Sequence, residues 1–216
     1  MAKPPTKRVT PRVGADLAPA EGLIDESEVT GVVITGDLAG IELTAVELVG
    51  CRLDGVQLTG STLSRWRLVD CVLVDCGLSG VVLDDCLLTR VEVQRSRLSG
   101  LQADACRFDD VAFVDCKIDG ANFRMTRWKH AELSGCDLVE ADFYAADLRD
   151  ARLVRCDLSG VQLSKADLRG ASLQGSVLDR LDGAEALRGV TITSDQLVPA
   201  ALAVFGALGV VIDDDA

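Results

Sequence analysis

Ala141 to Gly160 reads ADFYA ADLRD ARLVR CDLSG, four blocks of five whose third residue is Phe or Leu and whose first is Ala or Cys. The same phase runs outward in both directions. Stepping by five from Val33 to Leu178 gives 30 positions, all of them apolar. A strict period of five is neither the 3.6 of a helix nor the 2 of a strand, so the pattern marks a solenoid of short stacked repeats. Two residues before each of these centres the side chains are mostly small, as at Ala121, Ala141, Ala146, Ala166 and Ala171, and all eight cysteines fall in that phase. Two residues after the centre, 11 of 30 positions are glycine, which suits a turn. Each block therefore carries one large inward residue, one small inward residue and a corner.

The blocks Ala141-Asp142-Phe143, Ala146-Asp147-Leu148, Cys156-Asp157-Leu158 and Ala166-Asp167-Leu168 resemble the A-(D/N)-L-x-x motif of the pentapeptide-repeat family. The resemblance covers residues 31 to 180. It implies an all-β fold, a right-handed quadrilateral β-helix with four repeats, hence 20 residues, per coil. Positions 20 apart become neighbours, so Phe108 is expected against Trp128 and Phe123 against Phe143, with Ala103 leaving room for the rings. The phase is expected to run without a shift. Trp66 occupies the small-residue phase, which predicts a local bulge or an outward ring.

The expected organisation is a disordered basic, Pro-rich tail over residues 1–22, the β-helix over 23–180, and a C-terminal cap over 181–216. The tail holds four of the five prolines, with Lys3, Lys7, Arg8 and Arg12. In the cap, Ser194 reads as a helix N-cap followed by apolar residues at helical spacing. Val210 to Ile212 could add a strand. An open solenoid end needs covering, so this helix serves as a cap or, through Leu197, Leu202, Phe205 and Leu208, as a homodimer contact.

The function classes narrow by subtraction. A formal net charge of −12 opposes general nucleic-acid binding. No apolar stretch reaches the length of a membrane span, and the N-terminus lacks a signal-peptide pattern, so a cytoplasmic protein is expected. Cysteines in parallel inward columns read as buried packing, not as a metal site or disulfides. His130 stands in a column that reads Asp70, Arg90, Asp110, His130, Asp150, a ladder of weak surface ion pairs. No phosphate, dinucleotide or zinc motif appears, so neither cofactor nor catalytic residue is expected. What remains is a charged rod that binds a protein.

The resemblance adds a specific reading. The organisation is closest to the loop-free mycobacterial fluoroquinolone-resistance branch of the family, which implies a DNA mimic that occupies DNA gyrase and protects it from quinolones or toxins. The candidate partner-binding surface is Asp137, Asp142, Asp147, Asp157 and Asp167. The alternative is a scaffold with an unrelated partner. Charge supports mimicry only at the ends. Residues 21–85 hold 12 acids and 3 bases and residues 131–185 hold 11 and 6, whereas residues 86–130 hold 6 acids and 8 bases.

Overall fold

A computed structural model describes residues 7–20 and 23–210. The chain winds into a parallel β-solenoid followed by one C-terminal α-helix, and the five-residue faces stack at intervals of 20. One ladder joins Leu53, Leu73, Val93, Phe113, Leu133 and Leu153. A second joins Leu48, Leu68, Leu88, Phe108 and Trp128. A third joins Leu43, Leu63 and Leu83. The centres of the repeat thus form inward columns, four faces to a coil. All eight cysteines are free and buried between them.

The phase breaks at both ends, against the expectation of an unbroken repeat. Leu53 pairs with Ile34, not Val33, so the first coil is 19 residues long. Ile34 is 2% exposed, whereas Val33 is only partly buried. The interval of 20 is restored by Asp37 and Gln57, and Gly36, at φ 101°, lies within the shortened step. A matching slip closes the rod, where Gln162 bridges Asp182 but Ser172 bridges Thr191.

The aromatic residues meet as the spacing predicts. The rings of Phe108 and Trp128 stack at 4.0 Å and 14°, and those of Phe123 and Phe143 at 5.1 Å and 19°. Phe108 meets Phe123 edge-on at 6.0 Å, which links the two stacks. Trp66 departs from expectation. Its ring points inward, 2% exposed, and its Nε1 donates to the Leu43 carbonyl at 3.2 Å.

That bond exposes the logic of the corners. Some corners are closed, with the N–H three residues after the centre donating to the centre's carbonyl, as Ala141 to Leu138 and Ala146 to Phe143. Others are open, and a side chain from the next coil bridges the two groups. Ser176 Oγ accepts from Cys156 N–H at 2.9 Å and donates to the Leu153 carbonyl at 2.8 Å. Ser61 Oγ does the same for Ile41 N–H and the Leu38 carbonyl. The cysteines occupy this place throughout. Cys71, Cys76, Cys86, Cys106, Cys116, Cys136 and Cys156 each donate Sγ–H to the carbonyl 23 residues earlier, and Cys51 to the one 22 earlier across the short coil. The cysteines are therefore more than small hydrophobes, because each satisfies a buried carbonyl that its corner leaves open. Burial pushes the Cys71 thiol up to about 12 and raises that of Cys76.

The N-terminal segment is not disordered over residues 7–20. It lies along the corner column of Asp70, Arg90, Asp110 and His130. Val9 N–H donates to Asp110 Oδ1 at 2.9 Å and Arg12 N–H to Asp70 Oδ1 at 3.1 Å. Arg8 pairs with Glu92 at 3.0 Å, and Ala18–Pro19 pairs in parallel with Val32–Val33. Extended, proline-bearing chain suits this, since its N–H groups find carboxylates and no regular element is required.

At the other end, Leu181, Ala184, Ala186 and Leu187 cover the last coil. Gly183 is indispensable there. It takes φ 75°, and a Cβ would stand 2.3 Å from Ser164 N. The helical segment is capped by Thr193 instead of Ser194, in a capping box with Gln196. Gln196 Nε2 also donates to the Leu173 carbonyl at 2.8 Å. The α-helix Leu197–Ala207 buries only Ala200. Val210 forms no strand, and Val211 and Ile212 lie outside the described residues.

Candidate interaction surfaces

The five candidate aspartates stand on three faces. Asp137 and Asp157 share one ladder, Asp147 and Asp167 share a second, and Asp142 stands in a third between Asn122 and Gln162. Most are already engaged. Asp142 pairs with Arg124 at 2.8 Å, Asp147 with Arg149 at 2.6 Å, and Asp137 with Lys117 at 3.5 Å. Arg169 holds Asp167 with two hydrogen bonds. Asp157 accepts from Ser159. The Arg149 and Arg169 guanidiniums hold the Asp147 and Asp167 carboxyls below the usual carboxylate range by hydrogen bonding. The acids cluster in the same coils, but no single face collects them.

The candidate dimer residues are all exposed. Leu197 is 63% exposed, Leu202 58%, Phe205 48% and Leu208 68%, on a helix without a charged residue.

The column of His130 is a track as well as a ladder. Arg90 binds Asp70 through two hydrogen bonds of 2.8 and 2.7 Å, which hold the Asp70 carboxyl below its ordinary range. His130 Nδ1 lies 3.1 Å from Asp110 Oδ1, the oxygen that also receives Val9 N–H. Composition shows the alternating signs, but not that a distant segment uses them.

One further face runs through the basic middle coils. Its outward ladder runs Glu28, Glu47, Arg67, Leu87, Arg107, Arg127, Asp147, Asp167. Arg67, Arg107 and Arg127 are exposed, as is Lys129 two residues beyond Arg127. None of the four is within 4.0 Å of a carboxylate among the described residues, whereas many of the other cations are paired. Among the described residues, no helix is long and apolar enough to cross a membrane.

Several solved structures are similar to this chain. QnrB1, a plasmid-mediated fluoroquinolone resistance protein, is similar at 20% identity over 88% of this chain and 92% of its own, with a TM-score of 0.46. A pentapeptide repeat protein of the Arabidopsis thaliana thylakoid lumen shares 24% identity over 46% of this chain and 74% of its own, with a TM-score of 0.38. HetL, involved in heterocyst differentiation regulation in the cyanobacterium Nostoc, shares 22% over 79% of this chain and 91% of its own, at 0.29. No curated protein matches the sequence. The pentapeptide repeat region profile matches residues 46–123 and 87–154, and the pentapeptide repeats profile of eight copies matches residues 141–180. With its coils built on that repeat from end to end of the matched region, the chain belongs to the pentapeptide-repeat family.

Proposed function

We propose that this chain is a non-enzymatic binding solenoid of the cytoplasm whose partner is DNA gyrase, engaged by the acidic C-terminal coils in place of DNA. The observation that carries the reading is the placement of outward acids, led by the Asp137–Asp157 ladder, in the coils beside the exposed apolar helix. Pairing of two copies through Leu197, Leu202, Phe205 and Leu208 would double the length of that acidic end. A basic groove evolved for phosphates accepts other matched anions, and such binding weakens with salt.

Two measurements test it. Purified protein is expected to inhibit gyrase supercoiling, or to protect it from a quinolone, less at high salt than at low. Phe205→Glu is expected to halve the solution mass. No effect on gyrase at micromolar protein removes gyrase as the partner, and an unchanged mass removes the dimer.

A second reading is favoured by the ion pairs of Asp137, Asp142, Asp147 and Asp167 and by their spread over three faces. Pre-paired carboxylates offer a groove less charge than free ones. A scaffold with a different protein partner then takes the place of the mimic, and gyrase inhibition indifferent to reversal of Asp137 and Asp157 would favour it.

A further inference from the structure

We infer that the face carrying Arg67, Arg107, Arg127 and Lys129 is a second docking surface, which takes a short extended acidic segment of a partner protein bearing a large apolar side chain among its carboxylates.

The argument begins with economy of charge. The chain is strongly acidic, yet four exposed cations without an ion pair within 4.0 Å among the described residues, Arg67, Arg107, Arg127 and Lys129, share this one face. Arg107 and Arg127 are direct ladder neighbours, roughly 4.8 Å apart at the backbone. Lys129 stands on the same strand as Arg127, and Arg65 flanks Arg67 from the adjoining corner. Like charges held this close repel one another and stabilise nothing in the isolated rod. Acids border the patch in register, Glu47 beside Arg67, Asp109 beside Lys129 and Asp147 beside Arg127, yet among the described residues none forms an ion pair with these cations within 4.0 Å. The cost is recovered only when an anion arrives.

The shape of the patch selects which anion. From Arg67 to Arg127 is three coils, or about 14 Å, which an extended peptide spans in four to five residues. Beyond both ends the same ladder turns acidic, with Glu28 and Glu47 on one side and Asp147 and Asp167 on the other. A nucleic-acid duplex would continue over those carboxylates with about one charge per 1.7 Å and be repelled at each end. A short segment stops before them. Leu87 interrupts the cations within the ladder, and Met125, 53% exposed, stands at the bordering corner. These give an apolar residue of the incoming segment something to cover, which a bare phosphate backbone would not use.

The test uses the full chain and a fluorescein-labelled, Glu-rich peptide with a central leucine, read by fluorescence anisotropy. Saturable binding is expected, weakened about tenfold or more by the double variant Arg107→Glu/Arg127→Glu and by added salt. Arg97→Glu, on a different ladder, is expected to bind as the parent does, and replacing the peptide's leucine by serine is expected to weaken binding. Circular dichroism of each variant separates loss of binding from loss of fold. Arg107→Gln/Arg127→Gln provides a neutral version should the charge-reversed protein fail to fold. Absence of binding, equal loss in Arg97→Glu, or tighter binding of a short DNA duplex than of the peptide overturns the proposal. The surface adjoins the acidic coils at Asp147 but uses different residues, so a negative gyrase assay leaves this result standing, and the converse holds.

Discussion

Trp66 and Trp128 are both buried, at 2% and 3% exposure, and they enter the core from opposite phases of the repeat. Trp128 is a centre residue. It stacks on Phe108, meets Phe123 edge-on at 5.2 Å, and rests its Nε1 on Thr126 Oγ1 at 2.8 Å. Trp66 comes from the small-residue phase into coils whose centres are leucines, beside a cavity of about 50 Å³ lined by residues that include Leu53, Leu63, Leu83 and Phe108. Its indole also answers the open carbonyl of Leu43, the task given elsewhere to cysteine. The coils around Trp128 are held by ring packing, and those around Trp66 by corner bridges over a looser core.

That difference can be broken by substitution. Trp128→Ala removes the hub of the stacked rings and is expected to cost about 3–5 kcal/mol in urea unfolding. A loss below about 1 kcal/mol would mean that the rings fill space without binding the coils together. Trp66→Phe keeps an aromatic ring but leaves the Leu43 carbonyl without its donor, at an expected cost of about 1–3 kcal/mol. In the same measurement Cys136→Ser should change stability by less than about 1 kcal/mol, because serine already bridges corners at Ser61 and Ser176. A Cys136→Ser variant as unstable as Trp66→Phe would discredit the bridge as a common device.

The smallest effect distinguishes the ends by acid. Arginine hydrogen bonds depress the carboxyls of Asp70 and Asp75 in the early coils, and of Asp147 and Asp167 in the late ones. A carboxyl with a folded pKa below its unfolded value of about 3.9 stabilises the fold fully above that value and stops doing so as pH falls through the folded pKa. The melting temperature should therefore be flat from neutrality to about pH 5 and fall below about pH 4. A decline that begins near pH 6 would show that these carboxyls do not set the acid limit of the fold.

The columns, the aromatic stacks and the inward cysteines were legible because each depends only on the interval of 20. The slip at Ile34 was not, since Val33 is apolar too and stepping by five passes over the fault unseen. Trp66 was misjudged because residue volume argues for exclusion, while the deciding quantity is a carbonyl one coil away. The candidate aspartates were legible as acids, but their arginine and lysine partners sit at sequence distances of 2, 18 and 20 that composition does not rank. The basic middle coils were legible as a count of 8 bases over residues 86–130, but not the face that lines them up. Along the chain its residues are scattered from 67 to 129, and only the ladder brings them into line.

The strap of residues 7–20 changes how the rod comes apart. Every ladder contact joins a coil to the next, an arrangement in which ends fray one coil at a time. The strap instead ties Val9 to Asp110, Arg8 to Glu92 and Arg12 to Asp70, across 101, 84 and 58 residues. Made first by the ribosome, it has no berth until the coils that carry those acids exist, so its docking is a late event. Once seated it runs across the hydrogen-bond ladders like a tie rod through stacked rings, and fraying from the N-terminal end must first peel it away.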